Sequence, residues 1–239
     1  MYYTWPIAAE RFTYKIVIVL YKLTIVLLFT GYLQGVAAQS LTRNTTGFHD
    51  GYYYSFWNDH TSGMASMTLE PKGRYTIQWT NIGNLTAGKG WRTGREDRII
   101  SYKATFNGGS NGFLAVYGWT KDSLIEYYVV ENYGEWTPPG ATELGTVDTD
   151  GGTYRIYKTL RINQPSIAGT ATFYQYWSVR TTKRSRGTVT FANHVAAWRK
   201  YGMYLGHIWD YQIMETEGYK SSGYADVQLR TSTTDETDK

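Results

Sequence analysis

Short segments rich in aromatic and β-branched residues follow one another along most of this chain, and turn-forming residues separate them. Asn107-Gly-Gly and Asp150-Gly-Gly are two of the turn signals, and such residues tolerate or prefer turn geometry. Many strands at this spacing indicate an antiparallel sandwich or barrel. The predicted strands are Gly51–Trp57, Met64–Leu69, Arg74–Trp79, Ile99–Phe106, Phe113–Trp119, Leu124–Tyr133, Tyr154–Ile162 and Ala171–Thr181.

One segment has a helical period instead. Between Phe191 and Tyr201, the residues Phe191, Val195 and Trp198 fall on one stripe, and Gly202 follows as a stop signal. The sequence therefore predicts an all-β fold with one α-helix.

The composition limits how this fold is stabilised and what it binds. The 239 residues include no cysteine, so the apolar core stabilises the fold without disulfides. A net charge of +4 without a long basic run argues against nucleic acid as a partner. His49, His60 and His207 lack metal-ligand spacing, and we expect neither a metal nor a cofactor.

The two ends differ from the middle of the chain. Residues 1–38 combine Arg11 and Lys15 with a following apolar run and small residues at the end, which predicts a secretory signal peptide cleaved after Ala38. A retained membrane anchor is the alternative. We expect a flexible segment at 39–46, one domain at 47–230 and a Ser/Thr/acidic tail at 231–239.

Two predicted strands carry glutamates among aromatic residues. Period-2 alternation places Glu126, Tyr128, Val130 and Asn132 on one face, with Tyr127, Val129, Glu131 and Tyr133 on the other. Tyr211, Glu215 and Glu217 also share a parity. Aromatic rings stack on sugar rings and paired carboxylates cleave glycosidic bonds, so the pattern favours a carbohydrate-active protein. A non-catalytic carbohydrate-binding protein is the alternative, but it would not need both glutamates.

The residues themselves resemble a known family. Leu124-Ile-Glu-Tyr-Tyr-Val-Val-Glu-Asn-Tyr-Gly134 and Met214-Glu-Thr-Glu-Gly-Tyr-Lys-Ser-Ser-Gly223 are similar to the two signature motifs of family 11 glycoside hydrolases, the small endo-β-1,4-xylanases. Further matching segments are Gly83-Asn84, Gly88-Lys-Gly-Trp91, Val116-Tyr-Gly-Trp119, Arg161, Pro165-Ser-Ile167, Gln175-Tyr-Trp-Ser-Val-Arg180, Asn193-His194 and Trp198.

The resemblance implies a jelly-roll sandwich of two curved antiparallel sheets with a concave substrate cleft. It also implies that Glu126 is the nucleophile and Glu217 the general acid/base of a retaining enzyme acting on xylan and xylo-oligosaccharides. Separately, the signal peptide predicts a secreted protein, and we expect it to be a monomer. A related jelly-roll β-glucanase would share this chemistry, but the Pro165-Ser-Ile thumb and the Glu126-Tyr-Tyr motif favour xylan. The substrate-binding residues implied are Trp57, Asn84, Tyr117, Tyr128, Arg161, Pro165, Gln175 and Tyr211.

Several polar residues carry more specific expectations. The resemblance associates Asn84 with a hydrogen bond to Glu217 and a pH optimum near neutrality. Glu215 stands where the resemblance leads us to expect a small residue. It would raise the pKa of Glu217 if the two approached closely, but we expect twist or distance to separate them. We also expect Glu131 to be solvated and His194 to make a structural hydrogen bond.

Overall fold

The computed structural model describes residues 1, 38–135 and 141–230. The predicted signal peptide, apart from Met1 and Ala38, and the predicted acidic tail lie outside these residues. No helix within the described ranges is long and apolar enough to cross a membrane.

The described chain forms thirteen strands and one helix, which confirms the all-β class. The helix is α1 (Phe191–Lys200). The strands are β1 (Gln39–Leu41), β2 (Thr45–His49), β3 (Tyr52–Asn58), β4 (Met64–Leu69), β5 (Arg74–Trp91), β6 (Ile99–Asn107), β7 (Gly112–Thr120), β8 (Ile125–Tyr133), β9 (Glu143–Thr149), β10 (Gly152–Ser166), β11 (Gly169–Arg180), β12 (Arg186–Thr190) and β13 (Trp209–Arg230).

Two long strands, β5 and β13, build both layers of the sandwich. The first half of β5 pairs with β4 and its second half with β3. Strand β13 lies along β5 throughout, while its other edge pairs first with β7 and then with β6. The resulting sheet curls on itself into two layers. The concave layer, which borders the cleft described below, contains β2, β3, β7, β8, β11, β10 and β9, and the other layer contains β1, β4, β6 and β12.

Strand alternation divides the apolar residues into two clusters. On β7 and β8, Leu114, Val116, Tyr127 and Val129 belong to the core between the layers, which α1 completes. The intervening residues of these strands belong to a second cluster on the concave layer, the concave aromatic cluster. This cluster contains Tyr53, Phe113, Ala115, Tyr117, Trp119, Tyr128, Val130, Phe173, Trp177, Val179, Tyr211 and Ile213. The predicted parity of Tyr128 and Val130 against Tyr127 and Val129 is therefore confirmed.

The parity prediction is wrong at the end of β8. Leu114 pairs with Asn132, but Ala115 pairs with Val130, so Glu131 is an extra residue and the alternation shifts. Tyr133 consequently packs against the concave aromatic cluster and not on the predicted face with Tyr127 and Val129. Glu131 is fully buried rather than solvated: Tyr102 donates a 2.6 Å hydrogen bond to its carboxylate, and Tyr154 and Arg184 also donate to it.

Three further predictions need correction. Residues 39–46 are not a loose segment throughout, because β1 pairs with β4, and β2, which begins at Thr45, pairs with β3. The strand predicted to end at Trp79 continues to Trp91, held by its pairing with β13. His194 is buried on α1, and neither ring nitrogen has a hydrogen-bond partner among the described residues.

Candidate functional site

The concave layer forms a cleft of about 930 Å³. Strands β3, β5, β7, β8, β11 and β13 provide its floor, and the β10–β11 hairpin borders it. All ten predicted site residues line this one cleft: Trp57, Asn84, Tyr117, Glu126, Tyr128, Arg161, Pro165, Gln175, Tyr211 and Glu217.

Glu126 lies at the start of β8 and is buried, with both carboxylate oxygens hydrogen-bonded. The Tyr117 hydroxyl donates to Oε1 over 2.7 Å, and the Gln175 amide donates to Oε2 over 2.6 Å. Burial raises the pKa of Glu126. The hydrogen bonds from Gln175 and Tyr117 and the charge of Arg161 oppose that rise, because they favour the ionised form.

Glu217 lies on β13 and is partly buried. Burial, followed by the negative charge of Glu126, raises its pKa well above the ordinary value for a glutamate. Arg161 and the hydroxyl of Thr86 act in the opposite direction. The two glutamates therefore differ in their surroundings: donors hold Glu126 as a carboxylate, and that carboxylate favours the protonated form of Glu217.

Aromatic side chains pack tightly around Glu126. Tyr128 stacks on Trp177 with ring centroids 3.7 Å apart and an interplanar angle of 7°. The Trp119 indole donates a 2.7 Å hydrogen bond to the Tyr117 hydroxyl, so Trp119 orients the tyrosine that contacts Glu126. Burial raises the pKa of Tyr117 well above its ordinary value, as does the charge of Glu126, so Tyr117 remains a donor.

Trp119 and Trp177 were missed as site residues by sequence reasoning. A signal was available, because Trp119 shares strand parity with Tyr117 and Trp177 shares it with Gln175. Phe113, Phe173 and Thr86 also line the cleft and were not singled out.

Asn84 lines the cleft, but the expected hydrogen bond to Glu217 is not formed between these residues. The Asn84 Oδ1 atom is buried without a hydrogen-bond partner in the described part of the chain. Thr86, two residues further along β5, acts on Glu217 instead. Residue 86 pairs with residue 217 across the strands, whereas Asn84 pairs with Tyr219.

The environment of Glu215 differs from the expectation that twist or distance separates it from Glu217. Glu215 is fully buried, and burial raises its pKa well above the ordinary value for a glutamate. The charges of Glu217 and Glu126 raise this pKa further, so Glu215 senses both of these residues. Alternation along a regular strand keeps residues 215 and 217 on one face. The described residues include no group of three or more His, Asp or Glu with the arrangement of a metal site.

Comparison with known proteins gives consistent matches. The pattern of Glycosyl hydrolases family 11 matches residues 49–228. Endo-1,4-beta-xylanase 11A of Botryotinia fuckeliana is 52% identical over 193 residues, covering 80% of this chain and 84% of the relative. Endo-1,4-beta-xylanase 3 of Pyricularia oryzae is 50% identical over 190 residues, covering 79% and 80%. Endo-1,4-beta-xylanase 11A of Humicola insolens is 50% identical over 187 residues, covering 77% and 84%.

Proposed function

The chain belongs to glycosyl hydrolase family 11, and on that premise we propose that it is a secreted endo-1,4-β-xylanase that cleaves internal bonds of xylan with retention of configuration. The relatives named above are called endo-1,4-beta-xylanases. The observation that carries the mechanism is the pair Glu126 and Glu217, which line one aromatic cleft in different electrostatic surroundings.

In the first step Glu126 is the nucleophile. Its carboxylate attacks the anomeric carbon and forms an ester, while the bond from that carbon to the glycosidic oxygen breaks. Glu217 gives its proton to the departing oxygen, which leaves as the hydroxyl of the released chain. Tyr117 and Gln175 keep Glu126 in place through their hydrogen bonds to its two oxygens.

In the second step Glu217 is the base. Esterification removes the negative charge from Glu126, so the pKa of Glu217 falls and its carboxylate can accept a proton from water. The water oxygen attacks the anomeric carbon, the ester bond to Glu126 breaks, and both glutamates return to their starting states. Two inversions at the same carbon give net retention.

The cleft has features suited to a polymeric sugar. Trp57 and the concave aromatic cluster offer apolar surfaces for pyranose rings, and Arg161 and Gln175 offer polar contacts. Pro165 lies at the tip of the β10–β11 hairpin, next to Ser166, which pairs with Gly169. A xylose ring lacks the hydroxymethyl group of glucose, so a close hairpin can exclude glucose units sterically.

The stereochemical outcome provides the primary test. Purified protein is mixed with xylohexaose, and proton NMR spectra are recorded before mutarotation equilibrates the new reducing ends. We expect the β-anomer first, from cleavage at internal bonds. Initial α-anomer would rule out the nucleophile assignment, and binding without any product would favour the carbohydrate-binding alternative. Release from a barley β-glucan, but not from xylan, would favour the β-glucanase alternative.

Secretion is proposed from the predicted signal peptide. Expression of the full-length gene in a fungal host, followed by sequencing of the amino terminus in the culture medium, tests it. We expect Gln39 as the first residue. Retention of the protein in the membrane fraction would support the anchor instead.

A further inference from the structure

A second cavity, of about 650 Å³, lies between the start of β8, the strands β10 and β11, and the residues that follow α1. Ile125 and Tyr176 are buried in its wall, whereas Leu160, Tyr174 and Tyr204 are 50%, 40% and 63% exposed. We call this cavity the outer groove. The mechanism above makes no use of it.

The outer groove is open because α1 is short. Strand alternation places Tyr174 and Tyr176 on the side of β11 opposite Gln175, which lines the cleft. On that side Trp198 of α1 covers Tyr176, with ring centroids 6.1 Å apart. The helix ends at Lys200, so the sheet around Tyr174 remains exposed.

Contacts within the protein hold both tyrosine edges of the outer groove. The Tyr176 hydroxyl donates a 3.2 Å hydrogen bond to the Tyr204 carbonyl, which fixes the chain that follows α1. The Lys158 Nζ atom lies 4.0 Å from the centroid of the Tyr174 ring, a distance at which a cation and an aromatic ring attract. The outer groove is therefore formed before a ligand binds, which lowers the entropic cost of binding.

The lining of the outer groove suits a neutral sugar chain. None of the described residues that line it is acidic or basic, so it offers no ion pair to a charged ligand. Tyr174 and Tyr204 provide exposed aromatic surface, and Ser123 and Thr172 provide exposed hydroxyls. Sugar rings have apolar faces that stack on aromatic rings and hydroxyls that form hydrogen bonds.

The outer groove is continuous with the cleft. Leu160 and Phe173 line both spaces, so the two meet at these residues. An enzyme that cleaves internal bonds of a polymer holds only part of the chain in its cleft, and the remainder leaves the cleft at either end. A chain that leaves past Leu160 and Phe173 enters the outer groove.

We propose that the outer groove binds the part of a xylan chain that leaves the cleft past Leu160 and Phe173, with Tyr174 and Tyr204 as its sugar-binding rings. The proposal rests on the function proposed above, because it requires a xylan chain in the cleft. The outer groove takes no part in the chemical steps, so it favours long substrates without changing the cleavage of short ones.

The kinetic test compares the parent with Tyr174→Ala and Tyr204→Ala on xylo-oligosaccharides of increasing length and on soluble neutral xylan. For the shortest chain that the parent cleaves, we expect an unchanged kcat/KM in both variants. For xylan we expect kcat/KM to fall about three- to tenfold in each, which is the effect of one lost aromatic contact. The loss should lie mainly in KM, since binding far from the reacting bond is removed.

Two further variants separate sugar binding from packing. Tyr224→Ala is the matched control, because Tyr224 is 39% exposed and lines neither the cleft nor the outer groove. Tyr204→Phe keeps the ring and should retain most of the activity on xylan. Equal losses on short and long substrates, or a loss in Tyr224→Ala as large as in the groove variants, overturn the proposal.

A second measurement locates the bound chain without catalysis. Nitrogen-15 NMR follows the backbone amides of Thr172 and Gly202, both in the lining of the outer groove, in a protein that carries Glu217→Gln so that the chain stays intact. We expect these signals to move with a long xylo-oligosaccharide and not with a short one that moves only cleft signals. Groove signals that stay in place with the long chain overturn the proposal.

The remaining outcomes distinguish other occupants and the failure of the proposed function. Groove signals that change with protein concentration in the absence of sugar would assign this surface to a second copy of the chain and overturn the proposal. If the parent cleaves neither xylan nor any xylo-oligosaccharide, the proposed function fails. The NMR titration then still decides whether the outer groove binds a xylan chain.

Discussion

At the scale of single residues, the environment of Glu126 determines its ionisation. Its carboxylate is buried, which disfavours the charge, but Tyr117 and Gln175 each donate a short hydrogen bond to it. The acidic limb of kcat/KM reports the ionisation of this group in the free enzyme. The hydroxyl of Tyr117 should therefore extend the activity of the enzyme to lower pH.

Replacement of Tyr117 by phenylalanine tests this effect. The variant removes a donor that favours the carboxylate, so the pKa of Glu126 rises and the acidic limb of kcat/KM moves to higher pH. A pH profile with a xylo-oligosaccharide measures the shift. Tyr102→Phe is the matched control, because Tyr102 donates to the distant Glu131. An acidic limb that stays in place in Tyr117→Phe would contradict the assignment.

At the scale of elements, the β10–β11 hairpin forms one border of the cleft. Its tip is exposed, apart from the partly buried Gln164, Ser166 and Ile167, and Ile167 packs against the concave aromatic cluster. The Ser166 hydroxyl donates to the Gly169 carbonyl and accepts from the Ala168 amide, which stabilises the turn. Hairpins of this kind can close over bound substrate.

Ile167→Ala is expected to weaken closure of the hairpin. KM for xylan rises more than kcat falls, because the variant removes an apolar contact between hairpin and floor. Unfolding in urea changes by about 1 kcal/mol or less, since the side chain is partly exposed. Ile162→Ala is the control on the same hairpin, because Ile162 is 61% exposed. Equal effects of the two variants on KM would argue against a closing role.

A second element-scale feature is the buried network at Glu131, which joins β6, β8 and β10. Glu131→Gln removes the charge that pairs with Arg184, and we expect a loss of about 3 kcal/mol in the free energy of unfolding in urea. Glu143→Gln breaks the exposed pair with Arg155 and should cost less than about 1 kcal/mol. Comparable losses in both variants would show that the buried network stabilises the fold no more than the exposed ion pair does.

Sequence reasoning succeeded where the information is local. Alternation along β8 predicted that Tyr128 and Val130 lie on the side opposite Tyr127 and Val129, because that period depends only on the strand itself. Alternation failed at Tyr133, because the bulge at Glu131 depends on the register with β7. It also failed at residues 80–91, whose strand geometry depends on pairing with β13 rather than on an apolar pattern. The environment of Glu215 likewise depends on Gly88 and Ala115 from other strands.

At the scale of the whole molecule, stability should fall in acid through His194. Burial lowers the pKa of this histidine from 6.5 to about 3 in the folded protein. Between these values the unfolded chain binds a proton that the folded protein does not, so stability decreases as the pH falls from about 6.5 toward 3. Each pH unit in that window costs about 1.4 kcal/mol from this group.

His194→Phe keeps an aromatic ring beside Tyr154, whose ring centroid is 4.7 Å from that of His194, and removes the titrating group. Urea unfolding at pH 7 and pH 4.5 should show a smaller loss of stability in acid for the variant than for the parent. His60→Gln, at an exposed site, is expected to follow the parent. The same acid dependence in all three proteins would exclude His194 as its source.

Strand β13 runs for 22 residues through both layers, with Glu217 near its middle. The strand that carries the proposed acid/base is therefore also the one that joins the two layers through β5, β6 and β7. Thermal displacement of Glu217 therefore requires the two layers of the sheet to come apart. Activity that remains after heating should consequently be proportional to the fraction of folded molecules. The thermal inactivation curve should coincide with the loss of sheet structure measured by circular dichroism.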